Sequence, residues 1–400
     1  MFWFKLLLGA LFIRIVSSKE LASNEICFYA VYRAYKPIKF AGTPGKEQWV
    51  MYCRNRLKVG SIYASAKVYC QPEDILPGVA ILEKTCQRRI SQPLLPMSDF
   101  AANLTDENIA KMKVIENGEI PPEKKVDTPV LISKIFFDLS LKTVVVNNAE
   151  VKHRHHYGFA MYGIWGTVLV LGMTNNFCKW AFFRQSRTKR SDLEGSYDLK
   201  LKTPHRVCRP FLYLSDWIQT HLTIPSTFGS YHLRTLYGCD MPTRIEAIVI
   251  FSYWLIIAVL CCVNYELFAG NLNIPKTSAQ LCRYIAGRTG VISFANLPLA
   301  WMFAGRNNIF LWATGWSFRM FNIFHRQAAL AATLLAIAHS ITFTIFFFLI
   351  EKWFCMGVVG TVAMSFLVIF SCLWLRRKTY ELFLLIHIAL STVTIIIIVF

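Results

Sequence analysis

Three of the nine histidines, His325, His339 and His387, lie inside apolar stretches long enough to cross a bilayer. An ionisable ring at membrane depth is a candidate functional group, because burying it without a partner is costly. His325 and His339 share one stretch, fourteen residues apart. On a helix that is four turns less about 40°, so both point to nearly one face. At 1.5 Å of rise per residue they sit about 21 Å apart along the axis, most of the hydrocarbon thickness. One imidazole near each membrane surface suits two stacked haems held between helices, each taking one axial ligand from this helix. His387 lies seven residues into the last apolar stretch, at the His325 level. Symmetry then asks for a fourth ligand at position 401, one beyond the 400 residues given. The same rings also suit hydrogen bonding across a helix interface, or a proton relay in a channel or transporter.

Helices must position these groups, and the composition provides for them. Hydrophobic residues make up 54% and charged residues 17%, against about 25% charged in soluble domains. Intrinsic disorder is excluded on the same figures. The net charge of +19 would suggest nucleic acid in a soluble chain; here the positive-inside rule explains it, and no nucleic-acid partner is expected. Six spans are predicted, at about 157–178, 245–265, 284–304, 320–350, 353–375 and 380–400, taking about 20 residues as the requirement. Glycines and an Asn pair blur the first, and the fourth is long enough to tilt.

Residues 1–18 read as a signal peptide: Lys5, an apolar run from Leu6 to Ile13, then Ser17-Ser18. The polar segment 19–156 is therefore expected outside. Its four cysteines, Cys27, Cys53, Cys70 and Cys86, predict two disulfides with three possible pairings. Asn103-Leu104-Thr105 is its glycosylation sequon, and Pro121 to Lys125 reads as a solvated loop. The stretch 179–243 is then cytosolic and basic, with Lys179, Arg184, Arg187 and Lys189 among its cations; Arg306, Arg319 and Arg376-Arg377-Lys378 fall in later inner loops. Those cations could also meet lipid headgroups.

With these motifs assembled, the chain resembles the fungal plasma-membrane ferric/cupric-chelate reductases, related to the NADPH oxidases. The resemblance rests on Thr243-Arg244-Ile245-Glu246, Arg288-Thr289-Gly290, Phe303-Ala304-Gly305-Arg306-Asn307-Asn308 and Leu311 to Gly315. It continues through Phe321-Asn322-Ile323-Phe324-His325-Arg326, Ala338-His339-Ser340 and Tyr380-Glu381-Leu382-Phe383-Leu384-Leu385-Ile386-His387. Residues 244–400 would be an incomplete haem-binding membrane core. The resemblance implies an all-α integral membrane protein, a six-span bundle holding two stacked b-type haems behind a signal peptide and a disulfide-containing exported segment. It implies His325 and His387 for the inner haem and His339 for the outer. Electrons would pass from cytosolic NADPH to FAD, then through the haems to extracellular Fe(III) or Cu(II) chelates, serving metal uptake. No glycine-rich dinucleotide fingerprint occurs, so FAD and NADPH would belong to a C-terminal flavin domain, and the chain is read as the N-terminal portion of a longer reductase. Rival readings are a superoxide-generating oxidase, a proton channel or transporter, and an inactive truncated remnant. The plasma membrane is expected, with the vacuolar membrane as the alternative.

Two arginines are candidate partners for haem propionates: Arg288, expensive as an isolated cation at membrane depth, and Arg306 at the inner end of the same span, where snorkelling is the competing account. His153-Arg154-His155-His156 could capture copper or iron or be a solvated juxtamembrane patch. Cys282 and Cys355 could bridge or simply pack.

Overall fold

The computed structural model describes residues 20–42, 48–121, 124–191, 209–228, 235–236, 239–240, 242–346, 352–371 and 378–399. The signal-peptide reading at 1–18, most of the basic side chains of 179–243, Arg376-Arg377 and the Cys355 side chain lie outside what is described. The chain divides into two compact units. Ser18–His153 with Tyr265–Leu281 form one, and Arg154–Asn264 with Cys282–Phe400 belong to the other.

The first unit is built on helices α1 (Ser23–Ala34), α2 (Gln48–Arg54), α3 (Arg56–Tyr69) and α4 (Pro72–Ile90). Local chemistry sets their starts. The Asn55 side chain accepts from Lys58 N ahead of α3. At the start of α4, Pro72 gives up no needed N–H, and Glu73 and Asp74 meet the positive end of the helix dipole. Two disulfides form, Cys27–Cys70 from α1 to the end of α3 and Cys53–Cys86 from α2 to α4. Of the three open pairings, this one is realised. Gly78 lets α4 approach α1 closely: a Cβ there would stand 2.2 Å from Phe28 Cβ.

This unit is not purely helical. Strand β1 (Lys39–Phe40) pairs in parallel with β3 (Lys125–Val126), and β2 (Lys113–Ile115) with β4 (Val130–Ile132). Buried hydroxyls anchor β4, with Ser61 Oγ accepting from Val130 N. The predicted first span, 157–178, is part of a longer helix. Helix α5 runs unbroken from Lys134 to Ser191 and starts at Ser133, whose hydroxyl accepts from Phe136 N. It passes through Asn147, Asn148 and His153–His156, since nothing there breaks a helix.

In the second unit the main elements after α5 are α6 (Arg244–Cys262), α7 (Thr277–Phe303, begun in the first unit), the short α8 (Ile309–Thr314), α9 (Phe318–Phe346), α10 (Lys352–Phe370) and α11 (Tyr380–Val399). Thr243-Arg244-Ile245-Glu246 proves to be a capping box. Thr243 Oγ1 accepts from Glu246 N while the Glu246 carboxylate accepts from Thr243 N. The Asn pair in α5 also has a use, as Asn176 donates to the Ala313 carbonyl at the end of α8. Trp165, Tyr253, Phe303, Phe321 and Phe324 fill the centre of this bundle.

Six spans were expected. Among the described residues, three helices are long and apolar enough to cross a membrane: Lys134–Ala181, Arg244–Cys262 and Phe318–Phe346. Gly357–Phe370 and Tyr380–Ile396 are shorter apolar helices. Helix α7 has 27 residues, and Gln280, Arg283, Arg288 and Asn296 dilute its apolar character.

Candidate functional site

The three histidines stand on α9 and α11, and each is oriented by a neighbouring helix. His325 Nδ1 lies 2.8 Å from the Ala300 carbonyl of α7, and His339 Nδ1 lies 2.6 Å from the Ala286 carbonyl of the same helix. A carbonyl only accepts, so both rings carry their proton on Nδ1. His387 Nδ1 is 3.3 Å from Ser371 Oγ, just past α10. That hydroxyl already donates to the Leu367 carbonyl, so it accepts from His387 and fixes the same tautomer. In all three rings Nε2 keeps its lone pair. This is the arrangement of a metal-binding imidazole, in which the second nitrogen is held by a carbonyl or hydroxyl.

Local structure explains why Ala300 can serve. The Ala304 amide bonds to the Trp301 carbonyl instead, leaving the Ala300 oxygen to a side chain. At the other level, space is the requirement. A Cβ on Gly290 would stand 2.6 Å from His339 Nδ1, so only glycine lets α7 receive the ring.

The structure brings His325 and His387 together, with ring centroids 6.2 Å apart. Together they would hold a metal that takes two imidazole nitrogens, one supplied by each helix. Beside them lies a cavity of about 440 Å³ bordered by Leu297, Trp301, Leu330, Met364 and Val368. A pair of facing imidazoles on an apolar cleft suits a planar, largely apolar metal macrocycle. Among the described residues no group of three or more His, Cys, Asp or Glu could hold a bare metal ion, and a bis-imidazole site requires only two.

His339 stands apart from this pair, with Phe343 at 5.2 Å on its own helix. Neither predicted arginine lines the cavity. Arg288 is fully buried, and its guanidinium donates to the carbonyls of Leu260, Val263 and Asn264 at the end of α6, with the Tyr157 ring 5.0 Å away. It closes a helix terminus, a role that a cation suits. Arg306 is exposed, over the Phe318 ring at 5.6 Å. The cation that does line the cavity is Arg326, next to His325. Asn103 is exposed at the end of a 3-10 turn, and Cys282 is a free thiol. Within His153–His156, His155 is buried.

Sequence reasoning passed over Ser371 and the two alanine carbonyls. A serine at a helix end gives no signal of its own, and the availability of a carbonyl depends on packing. Gly290 stood in a quoted motif, but its reason appears only in three dimensions.

Comparison with known proteins addresses the same residues. Residues 289–398 match the family described as "Ferric reductase like transmembrane component". A probable ferric reductase transmembrane component of Candida albicans is 28% identical over 280 residues, covering 66% of this chain and 39% of the relative. The ferric/cupric reductase transmembrane component 1 of Candida albicans is 28% identical over the same length, covering 66% and 34%. The ferric reductase transmembrane component 3 of Saccharomyces cerevisiae is 30% identical over 190 residues, covering 44% and 27%. The chain thus spans well under half the length of these relatives. No solved structure matches it.

Proposed function

We propose, from the ferric reductase like membrane domain that residues 289–398 carry, that this chain is the membrane part of a reductase for extracellular Fe(III) or Cu(II) chelates. In this reading electrons come from cytosolic NADPH through FAD on a flavin domain of the longer protein, and cross the plasma membrane through b-type haems. Bound between the helices, a haem supplies reversible one-electron transfer. His325 and His387 would hold one iron, and His339 would serve a second level.

The chain's own residues do the orienting. Ala300 and Ser371 fix two imidazoles in the Nδ1–H tautomer, so each Nε2 is presented without a proton to displace. Leu297, Leu330 and Val368 give the pair an apolar border, which would shape the potential of any metal held there. Arg326, at the same cavity, is placed to meet an anionic substituent. The observation that carries the proposal is the 6.2 Å pairing of His325 with His387, each ring held from behind by a neighbouring helix.

The test is the reduced-minus-oxidised spectrum of membranes holding the chain. His325→Ala and His387→Ala should each remove the same b-type component, since both rings serve one iron. An unchanged spectrum in either variant, or no haem absorbance in the parent chain, overturns the assignment and favours a proton-relay reading.

A further inference from the structure

The disulfide-bonded unit contains a second cavity that the electron-transfer reading does not use. It measures about 250 Å³ and lies between α1, α2 and α4. Its walls are aromatic: Tyr29 and Tyr32 have ring centroids 5.8 Å apart, Tyr32 and Tyr52 5.4 Å, and Trp49 and Tyr52 5.6 Å. Arg33 and Lys36 border it, and Arg89 lies over the Trp49 ring at 5.7 Å. No carboxylate is among its lining residues.

The cations there are not neutralised from within the unit. The ion pairs Lys67–Asp106, Lys111–Glu107, Lys113–Glu119 and Lys134–Asp138 involve none of them. Arg33 donates to Asn273 Oδ1, a neutral acceptor that orients the guanidinium and leaves its charge uncompensated. The Lys36 carbonyl accepts from the Tyr52 hydroxyl at 3.0 Å, which ties the lysine backbone to the aromatic wall. Both disulfides brace this wall. Cys27 precedes Phe28, Cys53 follows Tyr52, and Cys86 follows Thr85.

Tilted and edge-to-face rings with a positive rim suit a flat molecule that carries negative charge at one end. The volume is below the roughly 300–1,000 Å³ of pockets for drug-sized ligands, which limits the occupant to a single ring. We propose that this cavity binds a planar aromatic anion, a benzoate or catechol-carboxylate, with its ring against Trp49 and Tyr32 and its carboxylate at Arg33 and Lys36. The site is independent of the histidine pair, so either proposal can fail alone.

The probe is 2,3-dihydroxybenzoate, titrated into the full chain in detergent micelles by equilibrium dialysis. Neutral catechol and non-aromatic citrate serve as comparisons. Saturable binding of the benzoate is expected, at least tenfold weaker for each comparison compound. Lys36→Glu, on an exposed side chain, should weaken it at least tenfold by reversing the charge, and Thr85→Trp should abolish it by filling the space. Both variants are checked for intact disulfides by mass before binding is measured. No saturable binding by the parent chain, equal binding by catechol or citrate, or undiminished binding in the two intact variants overturns the proposal.

Discussion

Each unit buries a cation completely, and the two cations are compensated in different ways. In the disulfide-bonded unit, Lys58 donates to the Ile38 carbonyl at 2.9 Å and lies 4.1 Å from the centroid of the Tyr52 ring. In the helical unit, Arg288 donates to three carbonyls where α6 ends. A lysine can shed its proton when desolvation becomes too costly, whereas a guanidinium in general cannot. One carbonyl and a ring are enough for the first, and the second needs the orphan carbonyls of a whole helix terminus. The histidines follow the helical unit's pattern, since backbone oxygens of α7 hold two of them. In that unit, main-chain dipoles take the place that disulfides and aromatic rings fill in the other.

The sharpest way to break this contrast is to remove each cation in turn. Arg288→Met leaves three carbonyls unpaired and should cost about 3–5 kcal/mol, read as loss of monodisperse protein in detergent. A variant that purifies and melts like the parent would show that the α6 terminus needs no cation. The two close glycine contacts give a smaller contrast. At Gly78 the obstacle is Phe28 Cβ at 2.2 Å, fixed to its backbone, and at Gly290 it is a ring atom of His339 at 2.6 Å. Overpacking costs about 1–3 kcal/mol and occasionally more. Gly78→Ala should therefore lower the thermal midpoint of its unit more than Gly290→Ala lowers that of the helical unit. The reverse order would mean that the His339 ring is held harder than the α1–α4 crossing.

Much of the site was legible because it depends on helical arithmetic. Fourteen-residue spacing and the alternation of helix direction were enough to put His325 and His387 at one level. The Thr243–Glu246 motif was visible as residues, and its capping chemistry is local. What stayed hidden depends on long-range packing: which cysteines pair, which carbonyl receives a ring, and why position 290 must lack a side chain. Its cost at membrane depth made Arg288 a candidate for a propionate, and the structure puts it on the end of α6. A cation at membrane depth calls for acceptors, and spacing alone does not say whether those acceptors are carboxylates or carbonyls. Of the six expected spans, the one at α7 carries buried polar groups that dilute its apolar character.

Lys58 offers the most delicate test of the contrast. Burial pushes its ammonium from the ordinary 10.5 down to about 7. Between those two values the folded chain keeps the amine neutral while the unfolded chain is protonated, so unfolding takes up a proton. Stability should then rise with pH above about 7, by at most about 1.4 kcal/mol per pH unit. Below that point both states are protonated and the slope vanishes. Lys58→Met removes the titrating group and should be the more stable protein at pH about 6, because a buried charge is exchanged for a thioether of similar shape. Its advantage over the parent should shrink as the pH is raised towards about 8.5, since the parent no longer has to bury a charge there. Thermal unfolding of both proteins across that range measures the gap. A gap that stays constant would mean that the Tyr52 ring and the Ile38 carbonyl hold the charged form throughout. Lys58 would then be compensated as fully as Arg288, and the contrast between the units would rest on the number of acceptors alone.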